Sequence, residues 1–351
     1  MIERLLSLAE RGVLPDALIR RGIRMLDRSR LRMESEGGPD AQSQRKAELI
    51  RQLSEGPIAR FTDEANQQHY EVPTSLFRHI LGPRLKYSCC TWPPEVSDLA
   101  SAEEAALAQV CRRAEISDGQ RILDLGCGWG SLSLWLAEKY PASRITAVSN
   151  SRTQAMHIEE ACRQRKLTNL EVFTADVNTF EPEETFDRVC SIEMFEHMNN
   201  LRLLLERVAG WLNPEGKLFV HVFSHRTYAY RFEIRGSADW MTKYFFTGGL
   251  MPSDDLLLHF QDRLAIEGHW MLDGRHYSRT CRAWLENLDR ARSEVLPILA
   301  EAYGEDPQRW FQRWRLFLWA GIELWGFQGG NEWIVSHYRF RKRGPVQGGQ
   351  E

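Results

Sequence analysis

The chain has 351 residues, 43% hydrophobic and 26% charged, with 45 basic against 48 acidic side chains and a formal net charge of −3. That composition excludes wholesale disorder, and the near balance of charge leaves no bulk electrostatic case for nucleic acid or an anionic bilayer. The length suits two average domains or one large α/β unit with additions, and no run reaches the ~18–20 apolar residues of a membrane span.

Residues 1–60 read as a helical cap or arm. Leu5, Leu6 and Leu8, then Ile19, Ile23 and Leu26, recur at helical spacing among charges, a loop is expected over residues 35–43, and a helix resumes from Arg45 to Leu53. Arg20, Arg21, Arg24, Arg28 and Arg30 make a solvated face or, alternatively, a basic entrance for lipid. Acid and arginine among the apolar residues of MIERLLSLAERGVLP argue against a secretory signal. The seven cysteines at 89, 90, 111, 127, 162, 190 and 281 include no CxxC pair, so neither a zinc site nor a disulfide framework is expected, and a cytoplasmic setting is.

From about residue 104 the pattern alternates between short apolar strands and amphipathic helices. Helices are expected over Glu104–Ala114, Ser131–Lys139, Arg152–Lys166 and Leu201–Leu212. Strands are expected over Gln120–Leu125, Arg144–Val148, Leu170–Thr174, Phe186–Ile192 and Lys217–Val222. This grammar predicts an α/β fold: a Rossmann-like, doubly wound, mostly parallel sheet over residues 61–227. Residues 228–310 break the alternation and read as an inserted helical cap over the site. Residues 311–343 return to the core with its last helix and strand, and 344–351 are a tail. The last two strands are expected at Leu264–His269 and Trp333–Phe340.

After the first strand comes Asp124-Leu125-Gly126-Cys127-Gly128-Trp129-Gly130. Glycine at such a turn brings bare backbone close to a ligand, but dinucleotide enzymes use a similar loop. A carboxylate just ahead of the glycines would repel a pyrophosphate and suits the ammonium of a methionine moiety. S-adenosylmethionine is therefore the expected cofactor, with Asp124, Gly126 and Gly128 at its loop. Asn150 and Gln154 follow the second strand and Asp176 and Val177 close the third, where ligands bind in doubly wound sheets.

The string Glu193-Met194-Phe195-Glu196-His197-Met198 follows the fourth strand. On a helical turn Glu193, Glu196 and His197 would stand at i, i+3 and i+4 on one face. Methylating an amine needs a neutral nitrogen and tolerance of a cationic product. A glutamate–histidine pair offers a carboxylate to hold the amine and a base with a pKa near ~6.5 to take its proton. Twelve tryptophans, most after residue 200, together with Trp240, Phe245, Phe246, Trp270 and Trp325 in or beside the inserted segments, suggest aromatic walls for a flat, cationic ligand. His225, His269 and His276 have no metal-motif spacing, so no metal is expected.

Those motifs, with ANQQHYEVPTSLF (65–77), LKYSCCTW (85–92), ILDLGCGWGSLSLWLAEKYP (122–141), DWMTKYFFTGGLMPS (239–253), HWMLDGRHYSRT (269–280) and NEWIVSHYRF (331–340), mark a specific resemblance. From about 60 to 343 the chain resembles the S-adenosylmethionine-dependent methyltransferases of the cyclopropane-fatty-acid-synthase superfamily, and most nearly their coclaurine N-methyltransferase branch. The resemblance implies cofactor contacts at Ser88, Gly126, Asn150, Gln154, Asp176, Val177 and Ile192, and catalysis at Glu196 and His197, with Glu193 nearby. It also implies the alternative of the lipid branch, in which an alkene is methylated and a bound bicarbonate removes the proton. Cys89, Glu196, His221 and Tyr277 would hold that bicarbonate, with Phe223 where an isoleucine is usual. A tetrahydroisoquinoline-like amine is the preferred acceptor and a fatty-acyl lipid the second.

Overall fold

The structure, a computed structural model, describes residues 2–60, 73–234, 236, 239–304 and 306–344. Residues 65–72 of the ANQQHYEVPTSLF string and the expected tail beyond 344 lie outside the described residues.

The arm consists of α1 (Ile2–Glu10), α2 (Asp16–Ser35) and α3 (Gly38–Gln52), followed by the short α4 (Thr74–Ile80). The loop expected over 35–43 is a two-residue break. Gly37, at φ +76°, ends one helix, and the proline after Gly38 opens the next, since its fixed φ and missing N–H suit a first turn. Next comes α5 (Leu99–Ala114), capped by Asp98, whose carboxylate accepts the Ser101 N–H at 2.9 Å.

The core follows as β1 (Arg121–Leu125), α6 (Ser131–Lys139), β2 (Arg144–Ser149), α7 (Arg152–Arg165), β3 (Leu170–Thr174), β4 (Phe186–Ile192), α8 (Leu201–Trp211) and β5 (Leu212–His225). A small β6 (Tyr230–Arg231), α9 (Trp240–Phe245) and β7 (Leu250–Met251) lead to β8 (Leu264–Leu272). Three helices, α10 (Arg275–Arg290), α11 (Arg292–Tyr303) and α12 (Pro307–Trp325), precede β9 (Trp333–Lys342). The seven-stranded sheet runs β3-β2-β1-β4-β5-β9-β8 with only β9 reversed. Ile122, Leu123 and Leu125 are buried because helices cover both faces. Strand order reverses between β1 and β4, so the crevice beyond their C-terminal ends is where a ligand binds. The glycine loop leaves β1 there, and Glu193 leaves β4 beside it.

A second core lies among α4, α9, α10, α11 and α12, where Phe77, Phe245, Trp284, Phe311 and Trp314 are buried together. The N-terminal arginines fasten α2 to this layer. Arg20 and Arg24 bind Glu323 at 2.5 and 2.7 Å, and Arg20 also lies over the Trp319 ring. Arg21 and Arg28 alone match the solvated face expected of the cluster.

Candidate active site

The cleft beyond β1 is lined by Gly126, Gly128, Asn150, Gln154, Asp176 and Val177, with Glu193 and His197 on its inner side. Gly126 sits at φ +83°, and a Cβ there would meet Met194 Cγ at 2.7 Å. Gly128 sits at φ +54°, and a Cβ on it would meet nothing within 4 Å. Gln154 accepts the Ser149 hydroxyl at 2.6 Å through Oε1, while its Nε2 is buried without a partner, a donor left for a ligand. Asp176 Oδ1 accepts the Asn178 N–H at 2.8 Å and its side-chain amide at 3.0 Å, which fixes the carboxylate at the rim. A bare backbone step, an orphaned amide and a fixed carboxylate fit S-adenosylmethionine.

Three expected contacts stand outside this lining. Asp124 is buried one layer behind and accepts the Ser133 hydroxyl at 2.5 Å. Burial, opposed by that bond, raises its pKa to about 6. It braces α6 under the loop through this bond. Ser88 accepts the Lys86 ammonium at 2.6 Å, and Ile192 packs against the core under the sheet.

The turn after β4 differs from the helical face expected of it. Glu193 adopts φ +49°, the left-handed region that side chains rarely occupy, and donates its N–H to the His221 carbonyl at 2.8 Å. Only Phe195–His197 then form a 3₁₀ turn. The kink separates the two carboxylates. Glu193 Oε1 accepts the Cys89 N–H at 2.9 Å and meets His221 Nε2 at 3.1 Å, while Oε2 accepts the Tyr277 hydroxyl at 2.7 Å. Glu196 turns inward, where Oε1 accepts the Phe223 N–H at 2.7 Å and Oε2 is buried without a partner.

These environments set the charges. Burial, and then the Glu193 charge, push Glu196 well above the usual carboxylate range, so it is held as the neutral acid. Burial also raises Glu193, against Lys86, the Cys89 N–H and the Tyr277 hydroxyl, each of which favours the anion. His197 stacks on Phe246, with centroids 4.8 Å apart and planes 23° from parallel. Burial lowers its pKa to about 4, with Glu193 opposing. The imidazole expected near ~6.5 is therefore neutral, because desolvation outweighs the neighbouring carboxylate.

Behind Glu193 and His197 opens a second chamber, walled by Tyr87, Phe223, Phe246, Tyr277, Trp284 and Trp325. Of the expected aromatic walls, Phe246 and Trp325 line it. Trp240 instead donates to Glu10 at 2.8 Å, Phe245 is buried behind, and Trp270 lies under Arg113 and Arg339. His225 accepts the Thr227 and Tyr228 N–H groups, His269 meets Asp254, and His276 accepts the Trp92 N–H. The set expected around bicarbonate converges on Glu193 instead: Cys89 by its backbone, His221 and Tyr277 by their side chains. Lys86 and His337 were not expected at the site. His337 reaches the site because β9 pairs it directly with His221, a register that the sequence pattern alone does not reveal.

With a cofactor crevice at the switch point, backed by an aromatic-walled chamber, the chain is a class I, S-adenosylmethionine-dependent methyltransferase. The chain belongs to the mycolic acid cyclopropane synthetase family, whose model matches residues 59–325. It is 38% identical over 348 residues to the (S)-coclaurine N-methyltransferase of Thalictrum flavum subsp. glaucum, covering 98% of this chain and 96% of that one. It is 30% identical over 247 residues to the cyclopropane-fatty-acyl-phospholipid synthase of Escherichia coli (strain K12), covering 70% of this chain and 60% of that one. Its structure is similar to that of coclaurine N-methyltransferase bound to N-methylheliamine and SAH, with a TM-score of 0.93 and 38% identity over 97% of this chain and 99% of the other. Among the described residues, no helix is long and apolar enough to cross a membrane.

Proposed function

We propose that this methyltransferase N-methylates a cyclic, tetrahydroisoquinoline-like amine, with Glu193 as the carboxylate that holds the amine and takes its proton. The observation that carries the reading is the position of Glu193 and His197, which line both the cofactor cleft and the aromatic chamber. An acceptor nitrogen in the chamber would thus meet the cofactor past these two side chains. Similarity to coclaurine N-methyltransferases over nearly the whole chain supports the same acceptor class.

The cofactor, when bound, supplies an electrophilic methyl group; the chain's residues supply orientation, charge and a proton acceptor. An ammonium entering the chamber leaves water for aromatic faces, which favour a cation, and for the Glu193 anion. Burial brings the pKa of Glu193 up towards that of the proton it must accept, which makes it the better base of the pair. His197, neutral and pinned on Phe246, orients the nitrogen by hydrogen bonding. Glu196 supports the turn through the Phe223 N–H and adds no second charge.

The alternative acceptor, an acyl chain deprotonated by bicarbonate, has less support because Cys89, His221 and Tyr277 already serve a carboxylate of this chain. Labelled S-adenosylmethionine offered with tetrahydroisoquinoline amines and with unsaturated phospholipid vesicles tests both. Label in the amine is the expected result. Label in the lipid, lost when bicarbonate is removed, would overturn the reading.

A further inference from the structure

We propose that Arg113 is a positioning residue for methyl transfer, acting on Glu193 through His337 and His221; this rests on the reading of Glu193 as the amine-binding carboxylate. The four groups form one hydrogen-bonded line. Arg113 Nη1 lies 2.7 Å from His337 Nδ1, His337 Nε2 lies 2.8 Å from His221 Nδ1, and His221 Nε2 lies 3.1 Å from Glu193 Oε1.

The direction of every bond follows from the first. A guanidinium only donates, so His337 Nδ1 must accept. A neutral imidazole carries one proton, which is then on Nε2 and is donated to His221 Nδ1. The proton of His221 is by the same step on Nε2 and is donated to Glu193. Both histidines are buried, and burial holds both well below the usual imidazole range, so neither carries the second proton that would break the order. All three donations point inward, each polarising the next, and the line ends on the anion.

The arrangement also excludes proton export along this route. His221 Nε2 already bears its hydrogen, and Arg113 cannot accept one. The line therefore conveys charge and orientation to Glu193, and the proton that Glu193 takes must leave by the open side of the site. Arg113 is half-buried on α5, with its side chain over Trp270 of β8. Other groups facing Glu193 are Lys86, which binds Ser88 and the Cys89 carbonyl, the Cys89 thiol and N–H, Tyr277 and the Cys281 thiol on α10, and His197 and Glu196 on the turn.

The test pairs kinetics with tautomer assignment. In Arg113→Gln the acid limb of kcat against pH should move up by roughly half to one pH unit, the size expected of one charge removed at this remove in a protein interior. Arg112→Gln, an exposed neighbour, should leave the limb in place, and Arg113→Lys should recover part of the shift. Independently, ¹⁵N-histidine NMR at pH 7, without substrate and assigned with His337→Asn, should show His221 and His337 protonated at Nε2 alone. Superimposable kcat profiles in wild type and Arg113→Gln, or a proton on Nδ1 of either histidine, would overturn the proposal. Failure of the wild type to methylate amines would instead overturn the acceptor class, and the tautomers would still decide the relay.

Discussion

Glu193→Gln separates charge from shape at the centre of the site. Three donors meet this carboxylate: the Cys89 N–H, His221 Nε2 and the Tyr277 hydroxyl. A glutamine oxygen accepts the first two, and its amide N–H can donate to Tyr277, whose hydroxyl turns from donor to acceptor. Alanine would leave all three unmatched at about 1–3 kcal/mol each, of order 5 kcal/mol together and comparable with the stability of a domain. The glutamine variant should therefore fold and bind SAH, by calorimetry, within about twofold of wild type. Its catalysis should suffer twice over. A charge-assisted bond to the amine is worth about 1.5–3 kcal/mol, and a positioned base contributes about 10²–10⁴ in rate. The two effects share one carboxylate and do not simply multiply, so kcat/KM for the amine should fall about 10³-fold. Glu196→Gln replaces one neutral group by another, keeps the bond to Phe223, and should lose less than about tenfold. Glu193→Gln within threefold of wild type, or Glu196→Gln as damaged as Glu193→Gln, would refute the assignment.

Three further variants probe the cleft and the arm. Gly128→Val forces a β-branched residue to φ +54° at roughly 1–3 kcal/mol and points its methyls into the cleft, so SAH binding should drop more than about 100-fold with only a modest loss in melting temperature. Gln154→Leu removes the unpartnered Nε2 and should weaken SAH about tenfold, the worth of one hydrogen bond, as read by titration calorimetry. Asp27→Asn tests linkage. Burial, then Glu323, raise the folded-state pKa of Asp27 to about 8 against Arg24 and Arg28, so the native state holds a proton that the unfolded chain releases near 3.8. Wild-type stability then falls as pH rises between these values, and the variant's advantage should grow by roughly 3 kcal/mol from pH 5 to 7.5. Denaturation curves whose difference is constant over that range would contradict the burial argument.

The parts legible in the sequence were those with a period or a run. Ile122–Leu125 is recognisable as a strand because a sheet covered on both faces demands a nearly continuous apolar run, and the glycine loop announces itself at its end. Less legible were features decided by one backbone angle. Glu193, Glu196 and His197 read as one helical face only if residue 193 is helical; at φ +49° it is not, and the pair of glutamates divides into a site carboxylate and a buried acid. Gly37-Gly38-Pro39 read as a loop because composition cannot distinguish a loop from the end of one helix meeting the start of the next. Trp270 and Trp240 were misjudged because aromatic content says nothing about which side of a layer a ring faces. His337 was missed because its role exists only through cross-strand pairing with His221, which no local pattern reveals.

The left-handed residue bears on which of the two acceptor classes the proposed site would serve. An exchangeable base such as bicarbonate needs donors that converge on vacant space; here the Cys89 N–H, His221 and Tyr277 converge on an oxygen pair borne by the chain itself. The Glu193 carboxylate already takes these three donors, and like charges at close range in a buried site would drive one of them to protonate. On the proposed reading of Glu193 as the base, tethering fixes it at unit occupancy and supplies it with the charge conveyed from Arg113, at the cost of strain at residue 193. A tethered carboxylate is also held between cleft and chamber, where it can meet a cationic nitrogen and take its proton before transfer. An alkene offers no charge to hold before transfer, so a fixed anion at this point favours the amine. Removing bicarbonate therefore discriminates between the two chemistries more directly than any comparison of rates.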